Sequence, residues 1–381
     1  IDYVSAFVRV FEKNVQDSAL ASVGGELWDF WGAGPIGAAI GAEYRREYTE
    51  GVGRNRDTNN RVLQLNSGPD FEGAEYETKE VFAELALPLL RDSWMGEFAE
   101  LNASYRYFDY STAGSGDVYG VSLVYRPIRD ITFKTSYNTA FRAPNLSENF
   151  RPAVQTFVNS FSDPCDTRVI AAFAGDNAAE IKANRIANCT ALAAAKGLSY
   201  DFSQATVAIA DDYRPTYASG IASSLGGNPG LRPETSESFT FSTVLRPRFI
   251  PNLSIVLDYY EITIDDVITT PSGQAIAEAC VNGPALDPVT CGLTFRNNPN
   301  NDTDPFNVFK VGAPNGDPIG GFTLQTLNFA KLETRGLDFT VNYGFDVGNV
   351  FGLFARDIGR IDYSLSGLWL GSGPIDVRRW I

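Results

Sequence analysis

The amino-acid sequence predicts an all-β protein, an antiparallel transmembrane β-barrel with long extracellular loops that contain short helices. Two observations support this class. Apolar and polar residues alternate with a period of two over segments of about ten residues, which is the length of one barrel crossing. The connections between these segments alternate between short and long, as expected when one rim of a barrel has tight turns and the other has loops.

The alternation is clearest in four segments, residues 36–48, 131–142, 336–345 and 361–369. It is weaker but present over residues 18–30, 75–86, 96–110, 117–126, 236–246 and 252–264. Together these segments predict about ten or eleven strands. Very large loops are typical of wide barrels, so we expect the chain to be part of a barrel of about 22 strands.

Alternation by itself does not distinguish a soluble sheet from a membrane barrel. In a soluble sheet the apolar face packs on a core, whereas in a barrel it meets lipid and the polar face lines the lumen. For the barrel, the sequence predicts a lipid-facing set and a lumen-facing set. The lipid-facing residues are Ile131, Phe133, Tyr137, Phe339, Val341 and Tyr343, and the lumen-facing residues are Lys134, Asn138, Asp338 and Asn342.

The lengths of the connections favour the barrel. Short connections are predicted at residues 32–35, 88–94, 127–130 and 247–252. Extracellular loops are predicted at about residues 49–74, 142–234 and 265–328, with 111–116 as a short exception. A sandwich or a propeller does not require such an asymmetry, whereas a transmembrane barrel does.

Composition excludes several classes of function. The chain has 381 residues and a net charge of −15, from 46 acidic and 31 basic residues, which argues against a nucleic-acid partner. It contains no histidine, so Ser-His-Asp and Cys-His catalysis and histidine-ligated zinc or haem are excluded. We predict no catalytic residue, no cofactor and no metal site.

Four cysteines occur as two close pairs in polar stretches between strands, Cys165 with Cys189 and Cys280 with Cys291. Neither pair has the spacing of a zinc or thioredoxin-like site. We therefore predict two disulfides that stabilise loops, which would place these loops in an oxidising compartment. The alternative is four free thiols.

Four separated segments carry a family resemblance. They read GPIGAAIGAEYRREYTEG (34–51), SYNTAFRAPNLSENF (136–150), GNPGLRPETSESFTFS (227–242) and ETRGLDFTVNY (333–343). In order and spacing they resemble strand and rim motifs of the TonB-dependent outer-membrane receptors, and the resemblance covers nearly the whole chain. The motif residues are interpreted as structural: Arg142, Pro144, Asn145, Pro233, Glu234, Arg335 and Gly336.

Backbone geometry and charge pairing explain the motif residues at the rim. Pro144 fixes its own φ and keeps Ala143 out of the helical region, so the strand ends there. By parity with Lys134, Arg142 faces the lumen, where a carboxylate of a neighbouring strand or of a plug could pair with it. Pro233 and Glu234 start the returning strand. We interpret Arg142 and Glu234 as structural rim residues rather than substrate contacts.

The resemblance implies a non-enzymatic receptor in the outer membrane of a Gram-negative bacterium. Such a receptor binds a scarce, large solute, such as a siderophore, cobalamin, an oligosaccharide or a peptide-like ligand. A TonB-type partner supplies the energy for import, and outer-membrane lipid and lipopolysaccharide surround the barrel. The plug domain and the last strands of the family have no counterpart in the sequence, so residues 1–381 are expected to be a partial barrel domain.

The two largest loops are predicted to capture the ligand, because recognition usually lies on loops carried by a rigid scaffold. The candidate ligand-contacting residues are Phe157, Phe161, Tyr200, Tyr213, Tyr217, Phe295, Asn297 and Asn298. Within the first loop, an alanine-rich run from Asp176 to Gly197 predicts a short helix.

Three alternatives remain open from the sequence. A passive porin-like channel or a structural outer-membrane protein would share the barrel pattern. A secreted β-rich enzyme has little support, because the acidic pairs 211–212 and 265–266 are adjacent residues whose side chains point apart. Calcium binding within residues 304–318 is conceivable, although Asp, Asn and Gly are also ordinary turn residues.

Overall fold

The computed structural model describes residues 7–54, 56–59, 68–175, 177–203, 213–217, 220–297, 309–312, 320–346 and 359–371. In chain order its elements are β1 (Phe11–Glu26), β2 (Gly37–Val52), β3 (Phe71–Ser93), β4 (Gly96–Tyr110), β5 (Gly114–Ile128), β6 (Ile131–Arg142), α1 (Leu146–Phe150), β7 (Val154–Val158), α2 (Thr167–Ala172), α3 (Ala178–Ala194), β8 (Ile221–Gly226), β9 (Glu234–Leu245), β10 (Leu253–Thr269), α4 (Gly273–Asn282), α5 (Pro288–Gly292), β11 (Thr323–Gln325), β12 (Leu327–Asp346) and β13 (Arg360–Gly371). None of the helices in these ranges combines the length and the apolarity that a membrane span requires.

Ten strands form one sheet, in the order β1-β2-β3-β4-β5-β6-β9-β10-β12-β13, and every neighbouring pair is antiparallel. We call this sheet the wall. The predicted strands 96–110 and 131–142 coincide with β4 and β6. Other strands are longer than predicted: β12, for example, begins at Leu327. The predicted antiparallel barrel portion is confirmed.

The two rims of the wall differ as the sequence predicts. One rim, the short-turn rim, has the connections 27–36, 94–95, 129–130 and 246–252. The other rim, the loop rim, has the connections 53–70, 111–113, 143–233 and 270–326. Strand polarity places the three longest connections, 53–70, 143–233 and 270–326, on the same side, because consecutive strands of an antiparallel sheet alternate in direction.

The predicted turn at residues 88–94 is shorter in the structure, because β3 continues through Pro88 to Ser93. The register of β3 against β4 shifts between Pro88 and Leu90. Proline has no N–H to give to a ladder and is tolerated where a bulge interrupts the pairing. Pro88 therefore marks an irregularity inside the strand, and the turn contains only Trp94 and Met95.

Strand register separates two faces of the wall. Asn138 lies opposite Gly120, Gly120 opposite Ser104, and Ser104 opposite Glu84, so one polar row crosses four strands on one face. The next positions along these strands belong to the other face. That face exposes large apolar residues, among them Val81, Tyr105, Val121, Phe239, Phe241 and Leu337. A continuous exposed apolar surface of this kind is typical of membrane contact.

The apolar band on the outward face ends before the strands do. Towards the loop rim it gives way to charged residues on the same face, namely Arg46 on β2, Lys79 on β3, Asp109 on β4 and Glu237 on β9. Each lies two positions along its strand from an apolar or aromatic residue, as Arg46 lies beside Tyr44 and Glu237 beside Phe239. The strands therefore extend beyond the apolar band on the loop rim, as expected where a barrel leaves the bilayer.

The buried apolar clusters lie outside the wall. Both of the clusters found among the described residues belong to the connections 143–233 and 270–326. The wall is held by its ladders and cross-strand contacts, while the long connections have a hydrophobic core of their own.

Candidate ligand-capture site

The connections 143–233 and 270–326 fold together into one unit on the loop rim, which we call the loop domain. It contains α1 to α5 and a second sheet of β7, β8 and β11. In this sheet β8 of the first connection pairs in parallel with β11 of the second. One apolar cluster combines Phe202 and Tyr213 of the first connection with Val281 and Phe309 of the second. The two predicted loops therefore form a single folded structure.

Two disulfides stabilise the loop domain, Cys165–Cys189 and Cys280–Cys291, in the pairing that the sequence predicts. The alternative of free thiols does not hold, since no cysteine is unpaired. Each disulfide closes a segment within one connection, so neither links the two connections covalently. In the chain-entropy model, closing segments of this size stabilises the fold by about 3 kcal/mol.

The predicted helix in the first connection is observed as α3, and its polar side chains bind the end of α4. The Nδ2 of Asn184 donates to the carbonyl of Asn282 at 2.9 Å, and the Nδ2 of Asn188 donates to the carbonyls of Val281 and Gly283 at 3.0 and 2.8 Å. The last carbonyls of a helix have no partner within it, so these amides satisfy groups that burial would otherwise leave unpaired.

Arg185 strengthens the same contact between α3 and α4. Its Nε donates to the Oδ1 of Asn282 at 2.7 Å, and its guanidinium lies over the ring of Phe173, 4.5 Å from the centroid. Its side chain is only 1% exposed, and burial lowers the pKa of the guanidinium, which Glu278 at 3.9 Å partly offsets. Arg185 is therefore a structural residue of the loop domain that no sequence motif singled out.

A buried ion pair joins the two connections at the centre of the loop domain. Arg296 donates to both carboxylate oxygens of Asp163, from Nη1 at 2.9 Å and from Nη2 at 2.7 Å. The two side chains are 4% and 0% exposed. The guanidinium also lies over the ring of Phe309, 4.7 Å from its centroid. A buried ion pair must be fully hydrogen-bonded to offset the free-energy cost of removing both charges from water. The carboxylate of Asp163 accepts several further hydrogen bonds.

Two tyrosines and one backbone amide complete the hydrogen bonding of the Asp163 carboxylate. The hydroxyls of Tyr213 and Tyr217 donate to its Oδ2 at 2.9 and 3.0 Å, and the N–H of Cys165 donates to its Oδ1 at 3.0 Å. Burial alone would raise the pKa of Asp163, but the guanidinium of Arg296 and these donors hold it below its usual range. Burial, with the adjacent carboxylate, raises the pKa of both tyrosines.

This burial corrects part of the predicted ligand surface. Phe161, Tyr213 and Asn297 are 8%, 4% and 4% exposed, so they belong to the interior of the loop domain and do not reach a ligand at its surface. Tyr217 is bound to Asp163 as described, and it packs edge-on against Phe161 at 5.2 Å between centroids. Their aromatic and amide groups form the core that a folded loop requires, which sequence composition cannot tell apart from a binding surface.

Two of the predicted ligand residues are at the surface. Phe157 on β7 is 48% exposed and Phe295, after α5, is 43% exposed. The Nζ of Lys196 lies 5.9 Å from the centroid of Phe295. Tyr200 is half-buried against the apolar cluster, and Asn298 lies outside the described residues. Ligand contact by Phe157 and Phe295 remains a prediction.

A polar network at the loop rim ties the strand ends to the loop domain, as the motif residues predict. Arg142 donates from Nε and Nη2 to the two carboxylate oxygens of Glu234, both at 2.8 Å, and from Nη1 to Glu148 of α1. Asn145 caps α1. The Oδ1 of Asn145 accepts from the N–H of Glu148 at 2.8 Å, and the carboxylate of Glu148 accepts from the N–H of Asn145 at 2.8 Å. Glu234 also accepts from the N–H of Ile268 at 2.7 Å.

The predicted partner of Arg142, a carboxylate on a neighbouring strand, is thus Glu234 of β9. Pro144 is buried beside it, and Pro233 directly precedes Glu234. The network joins β6, β9, β10 and α1, so these motif residues act at the junction of wall and loop domain.

The remaining motif residues lie on β12. Gly336 faces Tyr260 across the ladder, and a Cβ at this position would come within 2.6 Å of the tyrosine hydroxyl and 2.8 Å of the Trp369 carbonyl. Only glycine leaves room for an aromatic ring laid across the neighbouring strand in this way. Arg335, on the outward face, lies opposite Glu261.

A charged cluster on the lumen face was not singled out from the sequence. The Nη1 of Arg106 lies 2.8 Å from Glu80 and 3.9 Å from Glu43, and Arg45 pairs with Glu43 at 2.7 Å. Period-two parity places each residue on the lumen face, but their proximity depends on the pairing of β2, β3 and β4. The described residues contain no group of acidic, histidine or cysteine side chains that could hold a metal ion.

An antiparallel wall with an apolar outward face and a disulfide-bonded loop domain on one rim defines a portion of a transmembrane-type β-barrel. Residues 6–374 match a family model described as TonB dependent receptor-like, beta-barrel. The chain belongs to this family of receptors and transporters.

Solved structures of one receptor, PfeA, agree with this assignment at the level of the fold. The ferric enterobactin receptor PfeA of Pseudomonas aeruginosa, in a mutant form, is 14% identical, with a TM-score of 0.51 over 89% of this chain and 34% of that chain. The siderophore receptor PirA of Acinetobacter baumannii is 12% identical, with a TM-score of 0.47 over 88% of this chain and 35% of that chain. The chain thus spans about a third of the length of these receptors. A search among curated proteins finds no match.

Proposed function

We propose that this chain is the barrel portion of an outer-membrane receptor that binds a scarce, large solute at its loop domain and imports it to the periplasm. The observation that carries the proposal is the folded, disulfide-bonded loop domain on one rim of a wall with an apolar outward face. A passive channel needs no such domain, whereas a receptor needs a structured surface outside the membrane.

The orientation follows from the two rims. In outer-membrane barrels the long connections are extracellular and the tight turns are periplasmic. The loop domain would then lie outside the cell, where disulfides persist. The lumen face carries the Arg106 cluster and the row through Asn138. A plug domain supplied by a part of the receptor outside this chain would fill the lumen and make contact with a TonB-type partner.

The similar structure PfeA is named as a ferric enterobactin receptor, which supports iron–siderophore complexes as the first solutes to test. Cobalamin, oligosaccharides and peptide-like ligands are the next classes. Phe157 and Phe295 are the contacts that we propose on the loop domain, because they are exposed aromatic residues from both connections. Outer-membrane lipid and lipopolysaccharide would surround the apolar band and the charged residues above it.

A growth screen tests the function. A strain lacking the receptor gene should fail to grow on one limiting iron or carbon source and recover when the full-length gene returns. In that strain, Phe157→Ala and Phe295→Ala should weaken solute binding, while Phe249→Ala, an 82% exposed aromatic on the short-turn rim, should leave it unchanged.

Energy dependence separates the receptor from a passive channel. With the TonB-type partner deleted, a receptor still binds its solute but no longer imports it. Uptake that continues at the original rate in that strain would favour the porin-like alternative and contradict the proposal.

A further inference from the structure

The outward face of the wall has a hollow near the short-turn rim, which we call the outward hollow. Its volume is about 380 Å³, and the residues of this face that line it are Leu123, Tyr125, Phe133, Thr135 and Phe241. Thr135 on β6 lies at the centre, because it is opposite Leu123 on one side and opposite Phe241 on the other. The volume is within the range of pockets that hold small ligands, about 300–1,000 Å³.

The lining of the outward hollow is apolar. The hydroxyl of Thr135 donates to the carbonyl of Thr240 at 3.1 Å, and the hydroxyl of Tyr125 donates to the carbonyl of Met95 at 2.6 Å, so both polar groups already have partners. The rings of Phe133 and Phe241 stack at 6.1 Å between centroids and border one side. Such a recess accepts a hydrocarbon chain rather than a polar group.

The turns before β6 and after β9 place basic residues next to the outward hollow. These two turns contain three arginines and one acidic residue, namely Arg129, Arg246, Arg248 and Asp130. In a chain of net charge −15 they form a local excess of positive charge. Asp130 precedes Phe133 by three residues, so this group lies about 10 Å from the outward hollow along β6.

Arg248 is oriented for a further ligand. The Oδ1 of Asp130 accepts from the N–H of Arg248 at 3.2 Å and from its Nε at 2.9 Å. The side chain is 67% exposed, and neither Nη group has a hydrogen-bond partner within the described part of the chain. A planar guanidinium binds phosphate oxygens through two parallel N–H groups, so the free edge of Arg248 is suited to a phosphate.

Apolar residues on the same turns indicate the depth of these arginines in the membrane. Phe249, directly after Arg248, is 82% exposed, and Ile128 and Ile250 are 47% and 36% exposed. Exposed apolar and aromatic residues beside arginines are typical of the interface between hydrocarbon and water. Arg248 therefore lies at the level of the lipid headgroups, and the outward hollow lies at the level of the acyl chains.

We propose that the outward hollow and Arg248 bind one glycerophospholipid with an anionic headgroup. One acyl chain would fill the hollow while the guanidinium holds the phosphate, and the neighbouring arginines favour a negative net charge. The inference rests on the membrane position of the wall in the proposed function. It is measured by lipid affinity rather than by solute import, so it can fail while import holds, and the reverse.

Native mass spectrometry of the full-length receptor in detergent tests the proposal. Titrated with phosphatidylglycerol or with phosphatidylcholine of the same acyl chains, the wild type should bind one phosphatidylglycerol about tenfold more tightly. Arg248→Gln should weaken phosphatidylglycerol binding about tenfold, because it removes a charge-assisted hydrogen bond to the phosphate. Thr135→Trp fills the outward hollow and should weaken the binding of both lipids.

Two matched variants provide the controls. Arg360 lies on the same rim, three strands away from β9, and its Nε also pairs with an aspartate, Asp362, at 2.8 Å. Arg360→Gln should leave lipid affinity unchanged. Thr263→Trp, on the outward face of β10 near the loop rim, adds the same bulk as Thr135→Trp away from the hollow and should also have no effect.

Several outcomes would overturn the proposal. The first is equal affinity of the wild type for the two lipids, a comparison that stands even if a variant does not assemble. The others are unchanged lipid binding in Thr135→Trp and an Arg360→Gln effect as large as that of Arg248→Gln. A receptor dimer in the same spectra that Thr135→Trp dissociates would assign the outward hollow to a second copy of the chain and would overturn it as well.

Discussion

Strand β6 and the connection that follows it are continuous in sequence but stabilised in different ways. In β6, residues alternate between two faces, and each residue is paired with its cross-strand neighbours on β5 or β9. In the connection, the side chains that matter converge from distant positions, as when Asp163 meets Arg296 of the other connection. The wall is thus specified locally, strand by strand, and the loop domain by a core that forms only when both connections are present.

Residues of the same type occupy different environments in the two regions. On the wall, an aromatic at an outward position, such as Phe241, remains exposed at 41% because lipid is its expected surrounding. In the loop domain, an aromatic such as Phe202 is 1% exposed because water surrounds the domain and drives it inward. Substitutions should therefore act locally on the wall and cooperatively in the loop domain.

Arg296→Ala should have the largest effect. It leaves the Asp163 carboxylate buried without its charge partner, and such a change costs about 3–5 kcal/mol. Limited proteolysis should cut the loop domain of this variant while the wall stays resistant. Loss of the wall as well would show that the two regions are not separate units of stability.

Lowering the pH should weaken the same ion pair. The pKa of Asp163 lies below its usual value in the fold, so this carboxylate adds stability above about pH 4, its range in the unfolded chain. The contribution is lost as the pH falls through the lower pKa of the folded state. Pepsin digestion between about pH 2 and 6 should therefore cleave the loop domain faster only below about pH 4. In Asp163→Asn this increase in cleavage at low pH should be missing. An unchanged increase would show that another carboxyl group causes it.

Val121→Arg tests which face of the wall is in contact with lipid. Val121 lies at the middle of β5 on the outward face, where a charge in the bilayer costs about 2–4 kcal/mol. Ser122→Arg, one residue further and on the lumen face, should cost much less. Urea unfolding of the protein refolded into lipid vesicles measures both variants. Equal costs would contradict the barrel orientation, as would equal lipid accessibility of spin labels at Phe133 and Lys134.

Gly336→Ala should have the smallest of these effects, about 1–3 kcal/mol, because the new methyl group must displace the Tyr260 ring or the Trp369 carbonyl. Gly292→Ala is the matched control, since no atom lies within 4 Å of the new Cβ there. The same unfolding assay measures both variants, and a cost at Gly292 equal to that at Gly336 would rule out the packing explanation.

Most of the wall could be predicted from the sequence. Period-two alternation located β4 and β6 to the residue and separated Lys134 and Asn138 from Phe133 and Tyr137. The connection lengths gave two different rims. Alternation could not predict that β3 continues through Pro88. The irregularity there depends on how β3 pairs with the neighbouring strand, which a period of two does not record.

The loop domain was predicted only in part. The close cysteine pairs indicated the disulfides, and the alanine-rich run indicated α3, because both are local signals. The burial of Phe161, Tyr213 and Asn297 was missed, since a polar and aromatic loop segment reads the same whether it forms a core or a binding surface.

By itself, then, the sequence determined the strand pattern, the asymmetry of the rims, the cysteine pairs and the role of Arg142 as a lumen-side rim residue. These features depend on residues close together in the chain or on a fixed period. Only the tertiary structure decided that the two long connections share one core, that Asp163 pairs with Arg296, and that Glu234 is the partner of Arg142. Such contacts join residues 92 and 133 positions apart, and no local pattern records which distant group a folded chain will bring to a given charge.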